Sequence, residues 1–167
     1  MKTGIKAVVF FAFLLAVFSP SYAMGQFQFM QDSMEGKTSP EFTLKTAQGE
    51  SMSLSQARGD NAAIIFFWAT WCPHCRKQLH EMNQQAQDLQ QKGIKVILVD
   101  VGENAQTVQA YINKNEIKFD AFLDENNEVS DKYAIVGVPT LYFVNKKGII
   151  NDVEHAFPEN YEAILAQ

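Results

Sequence analysis

The chain has 167 residues, 47% of them hydrophobic and 20% charged, with a formal net charge of −5. That length suits one compact domain with a real core, and the acidic balance presents no basic face to a nucleic acid. Two cysteines are present, both inside the stretch FFWATWCPHCRKQL from Phe66 to Leu79.

In chain order, Lys2 and Lys6 precede an apolar run from Ala7 to Phe18, and small residues stand at Ser21 and Ala23. This is the pattern of a secretory signal, residues 1–23, cleaved after Ala23. As a helix the run spans roughly 18 Å, against about 30 Å for a bilayer core, which makes it a poor permanent anchor; retention by an uncleaved N-terminal anchor is the alternative. No cysteine precedes Cys72, so a lipid-modified amino-terminal cysteine is excluded. The expected location is periplasmic or otherwise extracytoplasmic, with the cleaved protein not integral to a membrane. Residues 24–39 are polar, rich in Met and Gln and without periodicity, and read as a flexible lead-in to a domain covering 40–167.

Glu41 to Lys45 reads as a short edge strand, and Ala62 to Trp68 (AAIIFFW) as a strand covered on both faces. A helix follows, with Pro73 in its first turn, where a missing N–H costs nothing. Leu79, Met82, Ala86 and Leu89 recur at three- and four-residue spacing, while Gln84, Gln85, Gln87, Gln90 and Gln91 face water. Lys92-Gly93 ends that helix, and Ile94 to Val101 gives a second buried strand. Ala105 to Lys114 is amphipathic, burying Val108, Tyr111 and Ile112, and a shorter helical piece around Val129 to Tyr133 precedes Val136-Gly137-Val138-Pro139. Thr140 to Val144 and Ile149 to His155 form a hairpin about Asn145 to Gly148, with Gly148 able to take positive φ. Pro158 to Ala166 reads as a terminal helix. The order implies an α/β fold, a central mixed β-sheet flanked by helices on both faces.

Cys72 and Cys75 admit three readings: a staple, half of a metal clamp, or a reactive couple. A disulfide closing so short a loop is worth about 2 kcal/mol, against about 4.7 for a hundred-residue loop, so it is a weak staple. Helix residues three apart have Cβ atoms about 5–6 Å apart, where a relaxed disulfide wants about 3.8 Å, so an easily reduced bridge is expected. A zinc site needs four ligands. The chain offers two cysteines and three histidines: His74 between the cysteines, His80 about 140° around the helix from Cys75, and His155 distant in sequence. No metal is expected. The reactive reading gains from its surroundings: Cys72 sits at the expected helix start, where the macrodipole and free N–H groups favour an anion, with His74, Arg76 and Lys77 within a turn. Cys75, one turn inside, is the more shielded. Cys72 is then the attacking or attacked sulfur and Cys75 resolves the mixed disulfide. Trp68 reads as core, Trp71 as a shield beside the disulfide and a candidate substrate contact. Asp100, Glu103, Asp120 and Asp124 read as solvated or capping carboxylates near strand ends.

FFWATWCPHC resembles the active-site segment of thioredoxin-fold proteins. With the earlier GKTSPEFTL (Gly36 to Leu44), FWATWC resembles the TlpA/ResA branch of exported thiol–disulfide oxidoreductases, over about Gly36 to the carboxyl terminus. VGVPTLYFVNKKG is similar to that family's cis-proline loop and the strand after it. The resemblance implies a cis Pro139 beside the cysteines and a substrate-binding surface of Trp71, Val138, Pro139 and Thr140, with the Val138 backbone pairing with a substrate strand. On residues alone, Val138-Pro139 reads as a trans turn. It also implies no bound cofactor beyond the Cys72–Cys75 disulfide, protein thiols and disulfides as partners, and a membrane redox partner.

Three departures stand out. Phe66 occupies the place of thioredoxin's buried aspartate, Gln78 that of a glutamate common in the TlpA/ResA branch, and His80 that of a common proline. With neither acceptor present, the proton of Cys75 is expected to pass to water or substrate. Pro73-His74 resembles the dipeptide of the DsbA-type oxidants and, as the pair that tunes the thiolate, gives a slight lean to an oxidising poise. The alternatives are a reductant for cytochrome c maturation or similar thiol delivery, and a thioredoxin-like binding module with an inert disulfide. Peroxiredoxin chemistry is disfavoured, because Ala69 stands where that resemblance requires threonine.

Overall fold

A computed structural model describes residues 34–167; the signal reading of 1–23, and the lead-in as far as residue 33, lie outside the described residues. The strands are β1 (Thr43–Thr46), β2 (Ser51–Ser53), β3 (Ala62–Trp68), β4 (Ile94–Val101), β5 (Asp120–Asp124), β6 (Thr140–Val144) and β7 (Ile150–Glu154). The helices are α1 (Leu54–Arg58), α2 (Pro73–Gln84), α3 (Ala86–Gln91), α4 (Ala105–Lys114), α5 (Glu128–Lys132) and α6 (Tyr161–Leu165).

Among the described residues the seven strands form one sheet in the order β2-β1-β5-β4-β3-β6-β7. The β3–β4 and β4–β5 pairs are parallel, and the other four pairs are antiparallel. β3 is buried along its whole length, because side chains alternate between two covered faces. Ile64, Phe66 and Trp68 meet Leu79 and Met82 of α2, Val108 of α4 and Ile164 of α6. Ala63, Ile65 and Phe67 meet Leu54 of α1, Val129 of α5 and Tyr133. The fold is thus the expected thioredoxin-like α/β architecture, a mixed sheet with helices on both faces.

The helix expected to run through Leu89 is broken at Gln85 into α2 and α3. Leu79, Met82, Ala86 and Leu89 are buried as their spacing implies, while Gln85, expected in water, is half-buried at the break. β2, α1 and β5 come in addition to the expected elements. The packed chain also reaches further back than Pro40: the Gly36 N–H donates to Ile150 O (2.8 Å), Ile150 N–H to Lys37 O (2.9 Å) and Ser39 N–H to Gly148 O (2.9 Å). Residues 36–39, read as flexible, are held because the start of β7 offers them free backbone groups. At the β6–β7 turn Gly148 has φ 81°, the left-handed backbone expected of it.

Candidate active site

The site lies where β3 runs into α2. Cys72 caps the helix in an extended conformation and Pro73 opens the first turn. The free N–H of Cys75 donates to Cys72 Sγ at 3.1 Å, so a backbone dipole points at that sulfur and favours negative charge on it. The two cysteines are joined as a disulfide with Cα atoms 5.2 Å apart. Cys72 is 4% exposed and Cys75 0%; Cys75 packs with Phe66 and Leu79 in the core. Phe66 is ordinary strand packing, with no ionisable group at thioredoxin's aspartate position.

The Val138–Pro139 peptide is cis, as the resemblance implies, and Val138 O lies 3.7 Å from Cys72 Sγ. Thr140 is placed differently from the expectation. It is buried, and its hydroxyl donates to Gly137 O at 2.8 Å, so it braces the loop from behind rather than offering a face to substrate. β6 starts here, and the inward alternation of the strand turns the Thr140 side chain away from solvent. The loop is held further by Tyr142, whose hydroxyl donates to Tyr133 O, and by Tyr133, whose hydroxyl donates to Pro40 O at 2.7 Å. Burial pushes both phenols up, Tyr142 to about 12.

Two grooves adjoin the loop. Trp71, 67% exposed, lines one with Ile135, Val136 and Val138. His74, Lys77 and Gln78 line the other with Pro139 and His155. Gln78 is buried. Its amide donates to His155 O at 3.0 Å, while its Oε1 has no partner. His80, on the exposed side of α2, pairs with Gln84.

His155 was not singled out by sequence reasoning beyond its distance from the cysteines. Its Nδ1 lies 3.0 Å from Pro139 O and 3.3 Å from Thr140 Oγ1. Since Pro139 O only accepts, Nδ1 carries the proton and donates. The signal was the hairpin itself: Leu141 pairs with Glu154, the last residue of β7, so the residue that follows the strand falls beside Thr140.

The carboxylates near strand ends divide. Asp120 is exposed as expected. Asp124 caps α5, accepting from Val129 N–H, Ser130 N–H and Ser130 Oγ, but it is buried rather than solvated. Glu103 accepts from Thr70 N–H at 2.5 Å and Thr70 Oγ1 at 2.7 Å. Asp100, expected to be solvated or capping, is 0% exposed, with Oδ1 accepting from the Glu103 N–H at 3.2 Å. It continues the face of Leu98 toward Trp68, its partner across β3–β4, where helices cover the sheet. Burial, with Glu103 beside it, pushes its carboxyl up to about 8.

Among the described residues, no group of three or more His, Cys, Asp or Glu comes together in a way that could hold a metal ion, and no helix is long and apolar enough to cross a membrane.

A family model described as AhpC/TSA matches residues 36–153. The thiol-disulfide oxidoreductase ResA of Bacillus subtilis is 28% identical over 148 residues, spanning 89% of this chain and 79% of that protein. The thioredoxin-like protein YneN of the same organism is 31% identical over 121 residues, 71% and 70% of the respective chains. The crystal structure of StoA from Bacillus subtilis matches with a TM-score of 0.62 at 27% identity, over 77% of this chain and 96% of that one. That of a thiol:disulfide interchange protein DsbE from Chlorobium tepidum matches with a TM-score of 0.69 over 78% and 92%, and at 24% identity it speaks for the fold alone. Both cysteines lie in the matched region, on the helix cap and beside the cis-proline, and on these grounds the chain belongs to the AhpC/TSA family and is a thioredoxin-fold thiol–disulfide oxidoreductase.

Proposed function

We propose that the protein works outside the cytoplasm as a dithiol–disulfide exchanger for partner proteins, with Cys72 as the exchanging sulfur, Cys75 as the resolving one, and a slight lean toward oxidising its partners. The observation that carries this reading is the asymmetry of the pair. Cys72 stands at the helix cap, with the Cys75 N–H aimed at its sulfur and the Val138 carbonyl beside it, while Cys75 is sealed in the core.

In the oxidising direction a partner thiolate attacks Cys72 Sγ, the Cys72–Cys75 bond breaks, and Cys75 leaves as a thiolate. A second partner thiol, losing its proton to water, then attacks the mixed disulfide and releases Cys72. The partner gains one disulfide, and two electrons enter the Cys72–Cys75 pair. In reverse, Cys75 attacks the mixed disulfide, and with Phe66 and Gln78 near it, water or substrate takes its proton. The Val138 peptide would pair with the partner's strand and Trp71 would cover it, while Pro73 and His74 tune the thiolate. Export rests on the Lys2, Lys6 and Ala7 to Phe18 pattern, and a membrane redox partner would reset the pair. Peroxide reduction is disfavoured, since Ala69 offers no hydroxyl where that chemistry wants threonine.

The test is the reduction potential of the pair, read in glutathione buffers from tryptophan fluorescence. A value near about −120 mV makes the protein a disulfide donor; one near about −270 mV overturns the oxidising lean and makes it a reductant. Cys72→Ser should abolish exchange and Cys75→Ser should trap mixed disulfides; full exchange by Cys72→Ser would sink the assignment of roles.

A further inference from the structure

Asp100 and Glu103 stand outside the exchange chemistry, yet they reach the loop that carries it. Glu103 holds Thr70 twice, through the backbone N–H at 2.5 Å and the hydroxyl at 2.7 Å. Thr70 lies two residues before Cys72, and the same loop is closed by the Cys72 N–H donating to Ala69 O at 3.2 Å. Behind Glu103 sits Asp100, fully buried. Its Oδ1 accepts from the Glu103 N–H at 3.2 Å, and its Oδ2 has no donor. A buried carboxylate oxygen without a donor is costly unless it carries a proton and gives it to an acceptor. The neighbouring carboxylate that acts on the Asp100 side chain is that of Glu103, and it is the acceptor to which such a proton would be given.

We propose that Asp100 and Glu103 share one proton and form a clamp on the active-site loop: with the proton in place the pair holds Thr70 and so positions Trp71 and Cys72, and loss of the proton to water opens it. Asp100 is then a positioning residue acting through Glu103 and Thr70. The surroundings favour the protonated pair. From β5 the nearby charge is Asp124, again negative, and it works with Glu103 against ionisation of Asp100. β3 presents the uncharged Trp68. α4 brings Tyr111, whose ring is tilted at 56° against Trp68 with centroids 5.3 Å apart, and Arg76 of α2 acts on Tyr111. Burial pushes the Asp100 carboxyl up to about 8, which puts opening of the clamp in a mildly alkaline range.

The functional half rests on the reading of Cys72 as the exchanging sulfur; the clamp itself does not, and the two are read separately. In the full-length oxidised protein, where no thiol titrates, the Asp100 carboxyl carbon and the Thr70 amide are followed by NMR from pH 3 to 10. Both signals should move with one midpoint near pH 8. Asp100→Asn should remove the Thr70 transition, and Glu103→Gln should lower the Asp100 midpoint by about one unit or more, since a like charge is gone. An Asp100 midpoint near about 4, the ordinary value, overturns the clamp, and so does a Thr70 amide that stays still while Asp100 titrates. Should Asp100→Asn fail to fold, the wild-type titration still decides. For the functional half, the rate of disulfide reduction by dithiothreitol is compared between wild type and Asp100→Asn. Their ratio should change about threefold or more across pH 8, and a flat ratio overturns the link to exchange.

Discussion

His155 joins the two halves of the site. Its ring holds the cis-proline loop through Pro139 O, and its carbonyl accepts from Gln78 on the helix that carries the cysteines. His155→Ala should therefore cost about 1 kcal/mol, the net worth of an ordinary hydrogen bond, and speed backbone exchange around Pro139. An unchanged urea midpoint together with unchanged exchange at Thr140 would show that the ring does not hold the loop. The cysteines were legible in sequence because their chemistry needs that residue type at that spacing, whereas Pro139 was legible only through the resemblance, since the residues alone read as a trans turn. His155 and Asp100 were not, because their roles depend on who stands opposite them in the sheet. A one-residue change of register would have put either on the other face.

Elements were legible in proportion to the length of their apolar pattern. β3, β4, α4 and β6 have the bounds read from the sequence, each being a long apolar run or a full amphipathic period. β5, five residues of which the first and last are aspartates, was missed because three apolar residues carry no period. It is nonetheless pinned between β4 and β1. β2 and α1 begin in a serine-rich stretch that reads as loop, although Ser53 and Gln56 complete a capping box there. α2 carries the largest consequence. Leu79 and Met82 anchor it under the cysteines with no exposed surface. Leu79→Ala should destabilise the protein by about 2–5 kcal/mol, whereas Gln87→Ala, on the exposed side of α3, should stay within about 0.5 kcal/mol. Urea unfolding of the two variants separates them, and equal costs would mean that α2 is not seated on the sheet as described.

At the scale of the whole molecule, one buried proton should show in the dependence of stability on pH. The Asp100 carboxyl is raised to about 8 in the folded protein, while in the unfolded chain it returns to about 4. Between those values the folded state holds a proton that the unfolded state has released. The contribution is therefore fully present in acid and is lost as pH rises through about 8. The slope it supplies is at most about 1.4 kcal/mol per pH unit, with stability falling as pH rises. The shift of Tyr142, to about 12, acts in the same sense but above that window. Other groups titrate across the range in a chain of net charge −5, so the informative quantity is the difference between wild type and Asp100→Asn, both with the disulfide intact. Asparagine fills the same space and cannot ionise. From pH 5 to 8 the wild type should lose stability relative to the variant, and above about pH 9 the gap should stop widening. A difference that stays constant from pH 5 to 9 would mean that Asp100 is ionised throughout, leaving a charge buried between β4 and α4 with nothing to neutralise it.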